Sequence, residues 1–372
     1  MTELMKILED NKGLISLVGN RPADWEARIV ETINLIQNKS KLPSHKHEFL
    51  VKEAMTTSDF PLLFGDILDR SVLAAYQSAP QVMGQVVAKE TRTDFRLNNM
   101  FDVQLGTGRM SSRNEKNEFH ITNVAEGHYQ YALGEYGEKL MLTWRVLVND
   151  NLGVFTRIPK WFATIAANTE EYNLTNLFFS ATGPRAAYFS VANGGAAVST
   201  LPLTLANLKT AIQAMVSYQN ASGDAPIDNS PLFLMTGPGN WINALEITGT
   251  KTEQRTGGAA VAYPVDSVIG RFNLRVLMNP WIPFITTTGT IASTTWALFS
   301  DPNKIAAGVE GKLRGHENPD IFIKKSDLQQ LGGGDVSPTE GDWDTSSVGY
   351  LVRHCMGGCT LNGRAGWASN GQ

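Results

Sequence analysis

Few residues in this chain combine the types and the spacing that catalysis requires. Gly237-Pro238-Gly239-Asn240 stands where a phosphate-binding loop would lie, but it lacks the Gly-Lys-Ser/Thr ending. The chain has no Gly-x-Ser-x-Gly elbow, and its six histidines show no His-Glu-x-x-His or similar ligand pair. A Ser-His-Asp triad stays open, because its members need not be neighbours in sequence. The sequence therefore predicts no catalytic residue, no cofactor and no metal site.

The segment Gly106–Glu118 carries the densest charge cluster in the middle of the chain and has almost nothing to bury. The charged residues of both signs in it are Arg109, Arg113, Glu115, Lys116 and Glu118. Charges across an interface fix register and partner choice more than they add affinity. We therefore predict that these five residues contact a neighbouring subunit. A solvated loop tip is the alternative.

The elements around this tip predict a long projecting β-hairpin. Strands are predicted at Gln85–Thr93 and Asp94–Leu105, and strand-like alternation returns between Phe119 and Leu133. Glu138–Val148 alternates again, and a long helix is predicted from Pro159 to Phe179, about 30 Å at 1.5 Å per residue. The tip would then project from a rigid base.

The rest of the chain mixes helices and strands. The predicted elements are a helix from Thr204 through Gln219, a strand at Pro231–Met235, a helix at Asn240–Ile247, strands at Asn273–Met278 and Thr294–Phe299, and a final strand at Ser347–Cys359. Gly249–Ala260 and Gly332–Gly341 are predicted loops. Ahead of the first strand, amphipathic helices with few apolar residues predict an arm laid against another surface. The pattern predicts the α+β class.

Composition narrows the function. The chain has 372 residues, 42% of them hydrophobic and 18% charged, and its net charge is −4 with 32 basic and 36 acidic residues. A surface that binds nucleic acid over the whole chain needs an excess of Lys and Arg. This chain has no such excess, so its composition argues against a surface of that kind. No run of eighteen apolar residues predicts a membrane helix, and the N-terminal stretch lacks a signal-peptide core, so we expect a cytosolic protein. Cys355 and Cys359 are predicted to be reduced structural thiols.

The stretch Tyr136–Phe179 resembles the major capsid proteins of tailed bacteriophages, notably the Mu-like branch. The resemblance lies in a Tyr-Gly, an alternating strand, Leu-Val-Asn-Asp, an aromatic residue before a Pro-containing turn, and the long helix. Further stretches agree in order: Ala54–Tyr76, Pro231–Leu245 (PLFLMTGPGNWINAL), Trp296–Pro302 (WALFSDP) and Gly315–Pro319 (GHENP). The similarity covers most of residues 54–372, and Gly349–Gly371 departs from it most.

The resemblance implies a Hong Kong 97-like fold with an N-terminal arm, an extended loop, a peripheral lobe with a spine helix, and an axial lobe. The corresponding segments are a helical arm at 1–80, an extended-loop hairpin at 81–135, a peripheral lobe at 136–199, an axial lobe at 200–261, and return strands of both lobes at 262–372.

The function that the resemblance implies is assembly with itself into hexamers and pentamers of an icosahedral shell. The shell would enclose double-stranded DNA without reading its sequence, and portal, scaffold or decoration proteins would be further partners. Assembly would take place in the bacterial host cytoplasm, and the protein would then reside in the virion, with no membrane association. An encapsulin-type nanocompartment and a hydrolase such as a maturation protease are the alternatives.

Overall fold

The computed structural model describes residues 72–105, 110, 124–143, 154–220, 223, 225–256, 262–329, 331, 336 and 341–372. In chain order the strands are β1 Ala88–Arg92, β2 Asn98–Leu105, β3 Val124–Tyr131, β4 Gly134–Thr143, β5 Phe179–Ser180, β6 Gly183–Pro184, β7 Pro231–Thr236, β8 Thr252–Thr256, β9 Ala262–Asp266, β10 Arg275–Met278, β11 Trp296–Ser300, β12 Gly308–Leu313, β13 Asp320–Ile323, β14 Ser347–Thr360 and β15 Gly366–Ser369. The helices are α1 Val154–Phe178, α2 Leu205–Val216, α3 Pro238–Gly249, α4 Ile282–Ile285 and α5 Ile291–Thr294. Residues 72–78 are also helical.

The chain divides into two compact units, and the expected α+β class is confirmed. Unit 1 comprises residues up to Pro80, Glu135–Asn168 and Gly315–Cys355, and unit 2 comprises Gln81–Gly134, Thr169–Arg314 and Met356–Gln372. The boundaries fall inside α1 and inside β14, so each of these two long elements supplies residues to both units.

Unit 1 is built on the first part of β14. This part of the strand pairs with β4 and, antiparallel, with β13, where Asp320 lies opposite Arg353. Because side chains alternate along a strand, Val348, Tyr350 and Val352 share one face, and they pack with Ile158 and Phe162 of α1. A second cluster joins the alanines of α1 to Val72 and Tyr76 of the preceding helix; its alanines are Ala163, Ala166 and Ala167.

The larger sheet of unit 2 has the strand order β10-β7-β11-β15. β10 runs parallel to β7, and the other pairs are antiparallel. Every residue of β11 is buried, because both faces of the sheet are covered. Trp296 and Leu298 pack with α2 and α3 on one face, whereas Ala297 and Phe299 pack with the end of α1 on the other.

A second set of strands in unit 2 pairs at close range. β1 lies parallel to β12, and β12 lies antiparallel to the last residues of β14. Two glycines stand in that part of β14. A Cβ on Gly357 would lie 2.4 Å from the carbonyl oxygen of Ala132, and one on Gly358 would lie 2.4 Å from that of Val309. Real side chains do not approach so closely, so both positions require glycine.

Several sequence predictions were wrong in detail, among them the following three. The Gly249–Ala260 segment is not all loop, because Thr252–Thr256 forms β8 and pairs with β9. β14 is not the final strand, since β15 follows it. The long helix begins at Val154, so Pro159 lies in its second turn and not near its start. Pairing and packing partners decided these cases, and single-segment propensity does not contain them.

Residues 1–71 lie outside the described residues. So does the predicted loop Gly332–Gly341, except for residues 336 and 341.

A β-hairpin and a buried charge network

The β2–β3 hairpin is the element that precedes and follows the predicted contact segment. Its strands are antiparallel and in unbroken register from Asn98 opposite Tyr131 to Leu105 opposite Val124. The predicted hairpin is therefore confirmed. The five charged residues proposed as contacts, Arg109, Arg113, Glu115, Lys116 and Glu118, lie outside the described residues.

A hydrogen-bonded group fixes the base of this hairpin in unit 2. The hydroxyl of Tyr131, the last residue of β3, donates to Glu90 Oε2 at 3.0 Å and accepts from Arg92 Nε at 3.0 Å. Arg92 Nη2 also lies 2.8 Å from Glu90 Oε2. The ring of Tyr131 lies so close to Gly311 that a Cβ there would be 2.5 Å from it. Burial raises the pKa of Tyr131, so the hydroxyl stays neutral and remains a donor.

Unit 2 also contains a network of buried charged side chains. Glu170 of α1 and Glu310 of β12 are both fully buried. The Nζ of Lys312 lies 3.0 Å from Glu310 Oε1 and 3.3 Å from Glu170 Oε2. Gln81 Nε2 donates to Glu170 Oε1 at 3.0 Å. One ammonium group thus serves two buried carboxyl groups.

Burial sets the protonation of Glu310. It raises the pKa of Glu310 to about 7, the negative charge of Glu170 adds to the shift, and Lys312 opposes it. This group can hold a proton that an exposed glutamate would have lost.

The adjacent Glu171 accepts hydrogen bonds from the backbone. Its two carboxylate oxygens accept the backbone N–H groups of Val82 at 2.7 Å and Met83 at 3.0 Å. Burial raises the pKa of Glu171, and these two donors oppose the shift. The side chain therefore anchors the segment ahead of β1 to the spine helix α1.

The chemistry available in the described part of the chain is limited. Within it no group of three or more His, Cys, Asp and Glu side chains could hold a metal ion. None of the helices it contains is long and apolar enough to cross a membrane. Cys355 and Cys359 are free thiols, and burial raises the pKa of Cys359 to about 11. Thiolate is the reactive form, so this thiol is poorly reactive near neutral pH.

Sequence reasoning missed the Glu170–Glu310–Lys312 network. One signal was present: Glu170 falls three residues after Ala167 and four before Leu174, on the buried stripe of α1. In β12, Glu310 and Lys312 are two apart and so share one face of the strand. Glu170 and Glu310 are 140 positions apart in the chain, which hides the pair from any local pattern.

A family profile and several solved structures are similar to this chain. A family profile described as phage capsid protein matches residues 128–369. A search of curated proteins finds no match. Among solved structures, the capsid of the cyanophage P-SCSP1u has a TM-score of 0.49 at 11% identity, covering 78% of this chain and 88% of that one.

Two further solved structures are similar at the same level. The virus-like particle of Pyrococcus furiosus has a TM-score of 0.43 at 11% identity and covers 81% of this chain and 97% of its own. The SrpI encapsulin of Synechococcus elongatus PCC 7942 has a TM-score of 0.46 at 10% identity and covers 80% and 94%. The family profile spans well over half of the chain, from β3 to β15. The chain therefore belongs to the phage capsid protein family, whose members are structural proteins of the bacteriophage virion.

Proposed function

We propose that this chain is the major head subunit of a tailed phage or prophage of the Mu-like branch, with a Hong Kong 97-like fold. Copies assemble into hexamers and pentamers of an icosahedral shell around double-stranded DNA. The observation that carries the proposal is the family match over residues 128–369, which includes the spine helix α1 and the strands from β4 to β15. The match supports a phage head over the nanocompartment and hydrolase alternatives.

The proposed division of labour follows the segments of the chain. Residues 1–80 act as the arm, 81–135 as the extended loop, 136–199 with α1 as the peripheral lobe and 200–261 as the axial lobe. Residues 262–372 return through both lobes. Portal, scaffold or decoration proteins join the shell, which forms in the host cytoplasm.

The hairpin is the proposed docking element between copies. The Tyr131–Glu90–Arg92 group holds the last residue of β3 against β1, so the hairpin has a fixed base. The five charges at the tip then set the register with the neighbouring subunit. Many modest contacts of this kind cooperate in a closed shell, so the loss of one type weakens assembly.

Electron microscopy of the purified, overexpressed chain tests the shell function. Closed shells, capsomer rings or tubes are expected at high protein concentration. A chain that remains a uniform monomer under these conditions, and that cleaves a peptide or ester, would contradict the proposal in favour of the hydrolase alternative.

Deletion of Gly106–Glu118 tests the hairpin. The remaining residues Phe119–Asn123 would join Leu105 to Val124, which lie opposite each other in the ladder, by a loop of ordinary hairpin length. We expect an unchanged circular dichroism spectrum and melting temperature. The protein concentration needed for assembly should rise about tenfold, which corresponds to about 1.4 kcal/mol.

The matched control keeps the loop length and removes only the charge. Arg109, Arg113, Glu115, Lys116 and Glu118 are all replaced by Ser, and this variant is expected to assemble as poorly as the deletion. Normal shells from the deletion would refute the docking role of the loop. Normal shells from the serine variant alone would show that contact by the loop, and not its charge, is what assembly uses.

A further inference from the structure

Helix α3 has an outer face that is apolar where a surface helix normally carries charge. Trp241, Ile242 and Leu245 are 39%, 66% and 44% exposed. Glu246 is the single charged residue in the sequence of α3. Helix α2 of the same unit shows the ordinary pattern, with polar Thr210 and Gln213 on its exposed side.

The orientation of α3 is fixed from the inside. Ala244 and Ile247 are buried in the core that α3 shares with α2. Asn240 Nδ2 donates to the carbonyl oxygen of Thr294 at 2.8 Å, and Asn243 Nδ2 donates to that of Leu203 at 2.9 Å. A rotation that turned the apolar face inward would break both hydrogen bonds and expose this core. The apolar residues on the outer face of α3 therefore stay at the surface of the folded chain.

The apolar surface extends beyond the helix. α3 packs against the 3₁₀ turn Ile269–Arg271, and the residues on either side of that turn, Val268 and Phe272, are 43% and 36% exposed. Large apolar side chains with exposures of this size together present on the order of 400 Å². The largest apolar patch of a typical single chain has about this size and is often functional.

We infer that the outer face of α3, with Val268 and Phe272, is a contact surface for a second copy of this chain. The inference rests on the proposed shell function. A stable pair of proteins covers about 800 Å² on each partner, with an apolar centre and a polar rim. The patch has the size of such a centre, and rings of copies bring a second copy to it by heterologous contact.

Other classes of partner lack the matching chemistry. Duplex DNA is held by Lys and Arg, and none of the five patch residues is basic. Helices that lie on membrane surfaces carry Lys and Arg on their polar face, and α3 contains neither residue. Apart from Glu246, the face carries aromatic and aliphatic side chains, and these fit an apolar protein surface.

The test replaces Ile242, the most exposed residue of the patch, in the full chain. Ile242→Lys places a charge in the middle of the proposed contact, and we expect the protein concentration needed for assembly to rise at least about tenfold. Sedimentation velocity and electron microscopy measure assembly, and circular dichroism checks the fold. Val191→Lys is the matched control, because Val191 is an exposed aliphatic residue of the same unit outside the patch, at 76% exposure.

The outcomes separate this inference from the proposed function. An Ile242→Lys chain that assembles like the original, or an equal loss of assembly in both lysine variants, would overturn the patch while leaving the shell function intact. An original chain that forms no assemblies at any concentration would overturn both.

A second variant covers the case in which Ile242→Lys does not fold. Ile242→Cys adds a thiol at the patch, and a maleimide reagent measures its accessibility against the background of the unchanged chain. We expect rapid labelling in the unassembled chain and at least about tenfold slower labelling in assemblies. Equal rates in both states, or protection already in the unassembled chain by the chain's own residues, would overturn the inference.

Discussion

The carboxyl group of Glu310 is fully buried beside one ammonium group and a second carboxyl group. Transfer of a carboxylate from water into a protein interior costs several kcal/mol unless partners compensate for it. Lys312 has to serve both Glu170 and Glu310, so it compensates for only part of this cost. A raised pKa of Glu310 is the result, and with it the stability of the fold depends on pH.

The direction of this dependence follows from the shift. The pKa of Glu310 is raised from an ordinary value of 4.5 to about 7 in the folded chain. The folded chain therefore binds more protons than the unfolded chain between these values. The stability contributed by the protonated group is fully present below about pH 4.5 and is lost as pH rises through about 7.

Glu310→Gln is expected to remove this part of the pH dependence. The amide cannot ionise, so the variant should melt at about the same temperature as the original chain at pH 5 and higher than it at pH 8. The rise in the pKa of Glu310 from 4.5 to about 7 corresponds to on the order of 3 kcal/mol in the free energy of unfolding. Melting curves followed by circular dichroism between pH 5 and pH 8 measure the difference.

Asp228→Asn is the matched control for that change. It also converts a carboxylate to an amide, but Asp228 pairs with Lys304 at the surface, where its side chain is 76% exposed. Such exposed pairs contribute little, so the pH profile should stay as in the original chain. If Glu310→Gln keeps the original pH profile as well, the assignment of the raised pKa to Glu310 is wrong.

Among the elements, α2 shows how a local signal fixes a boundary. Thr204 has an extended backbone, and its Oγ1 accepts the N–H of Asn207 at 3.3 Å. This satisfies one of the free N–H groups at the helix start. The sequence predicted this helix from the same residue, and the N-terminal boundary is confirmed, whereas the helix ends at Val216 and not at Gln219.

Thr204→Ala should lower the free energy of unfolding by about 1 kcal/mol, because it leaves that N–H group without its side-chain acceptor. Thr204→Ser keeps a hydroxyl and should retain most of the stability. Chemical denaturation measures both. Thr210→Ala serves as a control, since Thr210 lies inside the same helix and bonds only to the carbonyl oxygen of Ala206. A loss as large in Thr210→Ala as in Thr204→Ala would argue against the capping role.

The elements that were predicted share a local cause. α1, α2 and β14 carry long periodic patterns or a capping residue, and these signals lie within the segment itself. β8 and β15 are short, and each depends on its partner strand: β8 pairs with β9, the next strand in the chain, and β15 pairs with the more distant β11. Register of this kind is set by the folded sheet, so it could not be read from a single segment.

At the scale of the whole molecule, the balance of charge predicts weak interaction with DNA. The chain has 32 basic and 36 acidic residues, so it offers no general excess of phosphate-neutralising groups. A shell that encloses DNA also has to let it leave, which strong binding would hinder.

The unassembled chain is accordingly expected not to retard duplex DNA in a gel-shift experiment at physiological salt, whatever the sequence of the duplex. A basic DNA-binding protein provides the positive control. Retardation at submicromolar protein would contradict the expectation, and retardation of one sequence in preference to others would contradict it further.

The two kinds of site differ in how far the sequence could predict them. The charged tip was predicted because its residues are neighbours in the chain, but they lie outside the described residues, so its contact role stays a prediction. The Glu170–Glu310–Lys312 network joins α1 to β12, and its exceptional feature is burial, which only the folded chain defines. The outer face of α3 is intermediate, since its apolar residues are evident in the sequence but resemble a buried stripe until the other side of the helix is seen to be packed.

The paired glycines near the end of β14 limit how this chain can diverge. The carbonyl oxygens of Ala132 and Val309 lie 2.4 Å from where a side chain on Gly357 or Gly358 would begin. A substitution at either position would have to displace a neighbouring backbone and with it a paired strand. In sequences that diverge from this one, most surface residues can be replaced one at a time. At these two positions no single residue other than glycine fits the existing backbone.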